Sequence, residues 1–266
     1  ANVAAAQALR ANLNLSNRVL IMEALMGTEI EKRNLSDSND TQVLAQLLKS
    51  SSATFDAHDA GTTFRFMTAY LSLKEGSWIL TGSDRMKQRP IGDLVDPLRE
   101  LGAQIEYLGK ENFPPLKITG GKMKGGRVQV HSGVSSQFAS ALLMLAPCMK
   151  DGITLDLTGN VVSEPYIEMT LSLMDYFDVH HERKENSIHI PCQQYRPQNI
   201  FIESDWSAAS YYYEMAAFAD ELDLTLSGLL ENSFQGDSVI ARLMENFGIE
   251  TSYQNESVHL QKRGRQ

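Results

Sequence analysis

The sequence contains few of the features that mark several large classes of protein. It has two cysteines among 266 residues, Cys148 and Cys192, and their spacing fits no metal site. We therefore expect free, buried thiols in a reducing compartment, and a cytoplasmic protein. No run of 18 apolar residues occurs, so no membrane-spanning helix is predicted. The alanine-rich first ten residues lack the charged and apolar regions of a signal peptide.

Positive charge is also scarce. Lys and Arg number 24 against 33 Asp and Glu, which gives a net charge of −9 and argues against a general nucleic-acid partner. An anionic ligand would need local arginines to hold it against the overall field. The sequence has no P-loop, dinucleotide fingerprint or nucleophile elbow. His180 and His181 are adjacent on a strand-like stretch and point to opposite faces, so no metal site is predicted there.

The chain does contain a repeat of roughly 70 residues. Four segments open an apolar, helix-like run with polar residues, at positions 16–18, 61–65, 135–137 and 207–209. In three of them a strand-like stretch, a second helix and a pair of strands follow. This pattern indicates an α/β protein assembled from duplicated units. It predicts helices at residues 16–27, 41–49, 62–73, 137–145 and 165–177, with Ser16 as a cap.

The polar helix starts are candidate anion sites, because backbone N–H groups are free there and the helix dipole favours negative charge. Gly61 and Thr62 precede one helix, and Ser135, Ser136 and Gln137 open another. The alternative interpretation is an ordinary turn for the first group and an ordinary N-cap for the second.

Arginines near these starts point in the same direction. Arg18 and Arg65 lie in the first turn of apolar helices, where a cation is unfavourable for the helix and an anionic partner would offset it. Arg85, Lys87 and Arg89 lie together before Pro90. Arginine can grip a carboxylate or phosphate with two parallel hydrogen bonds, although a solvated basic loop remains the alternative.

Taken together, these residues resemble the 5-enolpyruvylshikimate-3-phosphate synthase family over about residues 12–262. The resemblance is carried by motifs in a fixed order: Ser-Asn-Arg at 16–18, Asp-Ala-Gly-Thr-Thr-Phe-Arg at 59–65, Arg-Met-Lys-Gln-Arg-Pro at 85–90, Ser-Ser-Gln at 135–137, Ser-Glu-Pro-Tyr at 163–166 and Asn-Ser-Phe-Gln-Gly-Asp at 232–237.

The resemblance implies a fold of repeated βαβαββ units around a pseudo-threefold axis, an enolpyruvyl transferase-like inverse α/β barrel. Residues 12–200 would form a shikimate-3-phosphate-binding domain of three units, and residues 201–266 one unit of an incomplete second domain. The implied reaction transfers the enolpyruvyl group of phosphoenolpyruvate to the 5-hydroxyl of shikimate 3-phosphate and releases phosphate. It proceeds by addition and elimination, with no metal or organic cofactor.

The resemblance also assigns roles to residues. Those that would bind shikimate 3-phosphate are Arg18, Ser135, Ser136, Gln137, Ser163 and Tyr166. Those that would bind phosphoenolpyruvate are Gly61, Thr62, Arg65, Arg89 and Gln137. Metal ligands, nucleic acid and membrane are not expected.

One departure from the family concerns catalysis directly. Leu13 occupies the position of the family's lysine, and leucine can neither pair with a carboxylate nor move a proton. Asn14 replaces a serine, and the family's catalytic carboxylates would lie after residue 266. We therefore expect a chain that is inactive by itself; the alternative is a non-catalytic shikimate-3-phosphate-binding fragment or a degenerate homologue. Self-association through the second domain is also expected.

Overall fold

The computed structural model describes residues 2–131, 136–159 and 164–262. The α-helices are α1 Leu13–Met26, α2 Asn39–Lys49, α3 Gly61–Leu73, α4 Gly92–Glu100, α5 Ser136–Leu145, α6 Glu164–Tyr176, α7 Trp206–Phe218 and α8 Ile240–Met244. The strands are β1 Asn2–Ala8, β2 Lys32–Arg33, β3 Thr54–Asp56, β4 Gly76–Thr81, β5 Gln104–Tyr107, β6 Leu116–Gly120, β7 Gly126–His131, β8 Ile153–Thr158, β9 Glu182–Lys184, β10 Ser187–Ile190, β11 Ile200–Phe201, β12 Glu221–Ser227, β13 Ile249–Gln254 and β14 Ser257–Lys262.

Three four-stranded sheets share one topology. Their strand orders are β3-β4-β6-β5, β7-β8-β10-β9 and β1-β12-β14-β13. In each sheet the first two strands are parallel, and the last two form an antiparallel hairpin whose second strand pairs with the second strand of the sheet. The repeat predicted from the sequence is thus confirmed as a βαβαββ pattern in the two sheets that run from β3 to β10.

The remaining segments depart from the predicted repeat. The strand near residue 201, expected to open the last unit, instead pairs in parallel with β2 in a two-stranded sheet. Its expected place beside β12 is taken by β1, for which the sequence predicted no structure. In the described residues, the first of the four proposed segments, around α1, has no four-stranded sheet of its own.

The predicted helices agree with the structure to within about three residues. Asn12, not Ser16, caps α1: the Asn12 side-chain oxygen accepts a hydrogen bond from the Leu15 N–H at 3.0 Å. Ser16 lies inside the helix, and its hydroxyl accepts from the backbone N–H of Ser36. Helix α2 is capped by the Ser38 side chain, whereas the N-cap residue of α3, Ala60, offers no side-chain acceptor.

The chain divides into two compact units. We call Asn17–Ile30 and Ser38–Gln198 the central unit, and Ala1–Ser16, Glu31–Asp37 and Asn199–Gln266 the terminal unit. In the central unit, helix α5 packs against both α3 and α6. The terminal unit has its own core, built from buried residues of α7, α8 and the sheet that holds β12. The proposed domain boundary at residue 200 stays a prediction.

Within the described ranges, no helix is both long and apolar enough to cross a membrane.

Candidate functional site

The start of α3 in the central unit brings together two arginines from distant parts of the sequence. A Cβ atom added to Gly61 would lie 2.2 Å from Nη1 of Arg89 and 3.1 Å from Nη1 of Arg65. The space that a side chain would fill is therefore occupied by guanidinium groups. We call Gly61, Arg65 and Arg89 the arginine cluster. Any side chain at position 61 would displace the Arg89 guanidinium.

The cluster is electrostatically strained. Burial, together with the nearby charge of Arg89, lowers the pKa of Arg65 to about 10. Neither guanidinium has a salt-bridge partner among the described residues. The Arg65 Nε atom is buried and has no hydrogen-bond partner among the described residues. Buried donors are nearly always paired, so the Arg65 Nε atom is free to donate to a group that this part of the chain does not itself supply.

Gln137 links the cluster to a second helix start. Its side-chain oxygen accepts a hydrogen bond from Arg65 Nη1 at 2.7 Å, and its amide nitrogen donates to the Thr62 hydroxyl at 2.9 Å. The first turns of α3 and α5 are thereby joined, 75 residues apart in the chain. Gly61, Thr62, Arg65, Arg89 and Gln137, all predicted from the sequence, lie in one place. The guanidinium of Arg65 also packs on the Phe138 ring at 5.3 Å.

Asp40 is an acidic residue beside the arginine cluster that the sequence patterns did not single out. Its carboxylate accepts a hydrogen bond from the backbone N–H of Thr62 and feels the charge of Arg89, while burial raises its pKa above the ordinary value. The backbone oxygen of Asp40 accepts a hydrogen bond from the Thr63 hydroxyl at 2.8 Å. Asp40 therefore supplies the first turn of α3 with the acceptor that Ala60 lacks, and partly offsets the arginine charge. A polar residue near a helix start gives no sign in sequence that it will contact a different helix.

Arg18 occupies a separate, buried position in the central unit and is 1% exposed. Its Nε donates to the Thr170 hydroxyl at 2.7 Å, and its Nη2 donates to the Ser140 hydroxyl at 3.0 Å and to the Tyr166 carbonyl at 3.4 Å. Burial lowers its pKa to about 10, so it remains charged at neutral pH. Arg18 thus ties α1 to α5 and to the first turn of α6. Its predicted contact with a ligand stays a prediction.

The other predicted ligand residues are less well defined. Ser136 opens α5, and Tyr166 lies in the first turn of α6 with 38% of its surface exposed. Ser135 and Ser163 lie outside the described residues. Leu13 begins α1 and is 37% exposed.

The basic residues of the loop before Pro90 have different surroundings. Arg89 joins the arginine cluster, Lys87 pairs with Asp84 at 3.3 Å, and Arg85 is exposed. Met86 between them is buried and anchors the loop. Arg85 and Arg89 are both exposed, but the Arg89 guanidinium lies beside Gly61.

The terminal unit contains a buried polar network around Gln235. The Gln235 side-chain oxygen accepts from the Asn12 amide at 2.8 Å and from the Trp206 backbone N–H at 3.0 Å. Next to it, the Glu203 carboxylate accepts from the Phe234 backbone N–H at 2.7 Å, and burial raises the pKa of Glu203. The network holds the start of α7 against the loop that contains Gln235.

No group of three or more potential metal ligands occurs in the described ranges. His180 lies near Asp178, and His181 lies near Asp175, each in a separate contact.

The fold and the cluster together define a mixed α/β protein with two arginines gathered at the start of a helix. A family model described as EPSP synthase (3-phosphoshikimate 1-carboxyvinyltransferase) matches residues 26–265. The chain therefore belongs to the EPSP synthase family, as its motifs indicated.

Individual relatives agree with this assignment. A 3-phosphoshikimate 1-carboxyvinyltransferase of Bacteroides fragilis is 44% identical over 257 residues, which cover 96% of this chain and 63% of the relative. A protein of the same name from Vibrio cholerae is 36% identical over an alignment that covers 92% of this chain and 64% of the relative. The chain thus spans less than two thirds of the length of these relatives.

A solved structure supports the fold independently. An EPSP synthase from Acinetobacter baumannii superposes with a TM-score of 0.82 at 19% identity, covering 99% of this chain and 66% of the other. At that identity the likeness shows the fold alone. It confirms the mixed α/β fold class expected from the sequence.

Proposed function

We propose that this chain binds phosphoenolpyruvate and shikimate 3-phosphate as the substrate-binding part of a 3-phosphoshikimate 1-carboxyvinyltransferase. The implied reaction moves the enolpyruvyl group to the 5-hydroxyl of shikimate 3-phosphate and releases phosphate. The observation that carries the proposal is the arginine cluster, where two guanidiniums without salt-bridge partners in the described chain meet at the start of α3. The names of the relatives supply the substrate identities.

Phosphoenolpyruvate fits the cluster by charge and by its hydrogen-bond acceptors. It carries a phosphate and a carboxylate, and each can accept paired hydrogen bonds from a guanidinium. The buried Arg65 Nε supplies a donor that is not paired within the described residues, and Gln137 holds the Arg65 side chain in place. The helix dipole of α3 adds favourable partial positive charge at the same point. Binding would relieve the repulsion between Arg65 and Arg89.

The second substrate is assigned to the starts of α5 and α6. Ser136, Gln137 and Tyr166 lie there, and Arg18 beneath them donates to the Tyr166 carbonyl. Hydroxyl and amide groups suit the hydroxyls and phosphate of shikimate 3-phosphate. The contribution of Ser135 and Ser163 rests on the family motif alone.

A second candidate function is substrate binding without catalysis, and Leu13 supports it. By resemblance it stands where the family has a lysine, and an apolar side chain supplies no proton donor or acceptor. Losing one well-placed charged group typically costs about 10²–10³ in rate. We therefore propose that this chain, assayed by itself, binds substrates but releases no detectable phosphate.

Calorimetry and a phosphate-release assay test both statements. Shikimate 3-phosphate titrated into the wild-type chain should give saturable heat, and Ser136→Ala should weaken that binding while the circular dichroism spectrum stays unchanged. Phosphate release with both substrates should be undetectable. Absence of heat with a folded chain would refute the binding proposal. Measurable phosphate release would instead refute the non-catalytic alternative.

Self-association is the remaining partner prediction, and apolar surface on the terminal unit supports it. Tyr211, Met215 and Phe218 on α7 are 68%, 52% and 83% exposed, and Leu243 and Phe247 nearby are 49% and 64% exposed. Exposed apolar groups of this size commonly mark an interaction surface. We propose that a second copy of the chain packs against this apolar surface. Sedimentation of wild type and Phe218→Ser should show a concentration-dependent dimer for wild type only.

A further inference from the structure

Two cysteines distant in sequence lie on adjoining segments of the central unit. Cys148 ends a short 3₁₀ turn, Ala146–Cys148, that follows α5, and Cys192 comes two residues after β10. Both thiols are free, as predicted, but both side chains are exposed, which corrects the expectation that they are buried. Exposure matters because it gives an oxidant access to them.

The backbone fixes the two segments side by side. The N–H of Gln193 donates to the carbonyl oxygen of Pro147 at 3.0 Å. This bond joins the peptide unit between Pro147 and Cys148 to the peptide unit between Cys192 and Gln193. Each cysteine is therefore attached directly to one of two hydrogen-bonded peptide units. Disulfides span Cα separations of about 4.4–6.8 Å, so residues attached to two directly hydrogen-bonded peptide units are candidates for one.

A second contact holds the segment after Cys192 in place. The buried Tyr195 hydroxyl donates to the carbonyl oxygen of Met144, on the last turn of α5, at 2.8 Å. The chain from Cys192 to Tyr195 is thus anchored to the end of α5 at two points. The two thiols are close enough to interact electrostatically. Although Cys148 is exposed as a residue, packing around its sulfur atom desolvates the thiolate, and this desolvation together with the nearby Cys192 raises the pKa of Cys148 to about 11.

We propose that Cys148 and Cys192 form a redox-responsive dithiol site that closes to an intramolecular disulfide when it meets a small disulfide oxidant such as oxidised glutathione. The site is separate from the arginine cluster and does not depend on the proposed function. It belongs to the class of reversible thiol–disulfide pairs found in reducing compartments.

The exchange runs in two balanced steps. The thiolate of Cys192 attacks one sulfur of oxidised glutathione, forms a mixed disulfide and releases one glutathione thiolate. Cys148 then loses its proton to solvent, attacks the Cys192 sulfur and releases the second glutathione. Two protein thiols are oxidised, and one glutathione disulfide is reduced to two thiols. Both attacks need a thiolate, and a thiol with a pKa of about 11 is almost wholly protonated at neutral pH. Cys148 is assigned the second role because attack within one molecule tolerates a small thiolate fraction better than attack on a reagent in solution.

Intact-mass spectrometry of the folded wild-type chain with oxidised glutathione tests the proposal. The expected product is a monomer that has lost two hydrogen atoms, has no thiol reactive toward Ellman's reagent, and returns to its original mass with dithiothreitol. Cys148→Ser and Cys192→Ser lack a partner thiol. Each should therefore stop at a single glutathione adduct or remain unmodified.

Three results would overturn the proposal. They are a wild-type chain carrying two glutathione groups, a disulfide-linked dimer, or two thiols that stay reduced while Ellman's reagent shows them accessible. A dithiol probe provides a check without oxidation. Phenylarsine oxide binds two neighbouring thiols together, so wild type should retain it against excess mercaptoethanol and both serine variants should lose it. Equal loss from all three proteins would contradict the proximity on which the proposal rests.

Discussion

Replacing Arg89 with methionine should stabilise the ligand-free chain and remove its response to phosphate. The Nη1 atoms of Arg65 and Arg89 lie 3.1 and 2.2 Å from one point beside Gly61, so they are no more than about 5 Å apart. At that distance two like charges repel by about 1 kcal/mol in water and about 3 kcal/mol at an effective dielectric constant near 20. Arg89 is exposed, and Asp40 offsets part of its charge. We therefore expect the free energy of unfolding to rise by about 1 kcal/mol.

The assay is urea unfolding of wild type and Arg89→Met, with and without inorganic phosphate. Phosphate should stabilise the wild type, because a ligand that binds only the folded chain adds about 2.7 kcal/mol at a hundred times its Kd. It should leave Arg89→Met unchanged. Arg85→Met is the matched control, since Arg85 is an exposed arginine of the same loop and lies outside the cluster; its stability and phosphate response should equal those of wild type.

The reasoning would be refuted if Arg89→Met were less stable than wild type without ligand, or if both arginine variants kept the full phosphate response. The first result would mean that Arg89 contributes net attraction to the fold. The second would mean that phosphate binds elsewhere.

Three further changes have defined outcomes. Gly61→Ala should weaken phosphate binding about tenfold or more by calorimetry, because its Cβ would displace the Arg89 guanidinium. Its unfolding midpoint should stay level or rise, because alanine is a better helix former than glycine. Glu203 has a raised pKa, so its ionised form costs stability at neutral pH and the folded chain takes up the proton first on acidification. In urea titrations, the stability of wild type relative to Glu203→Gln should therefore rise as pH falls from neutral towards 4.5. Lys262 donates to the Ala217 and Ala219 carbonyls at 2.7 and 2.8 Å, so Lys262→Met should lower the free energy of unfolding by about 1–2 kcal/mol in urea titrations.

Much of the secondary structure could be predicted from local patterns. Helices α3 and α5 were expected at residues 62–73 and 137–145, because apolar periodicity and polar starts are local properties. Strand β1 was missed because its alanine-rich sequence has weak strand propensity. It forms in parallel with β12 along seven residue pairs, so pairing with a partner more than 200 residues away decides its conformation.

The site was predictable residue by residue but not as an arrangement. Arg65 and Arg89 were each singled out from charge beside a helix start, yet only the fold shows that they meet over Gly61. Arg18 was proposed on the same local reasoning, and the structure places it in a buried position among hydroxyls of α5 and α6. Asp40 was missed because its role depends on contact between α2 and α3. Long-range packing supplies this information, and single-sequence patterns do not contain it.

Calorimetric titration of phosphoenolpyruvate, in the presence of excess shikimate 3-phosphate, tests the central claim most directly. The proteins to compare are wild type, Arg65→Met and Arg85→Met. The arginine cluster predicts saturable binding to wild type and to Arg85→Met, and a loss of binding for Arg65→Met, whose partner Gln137 remains in place. Equal affinity for all three proteins, or no binding to a wild-type chain shown to be folded, would contradict the assignment of phosphoenolpyruvate to the cluster.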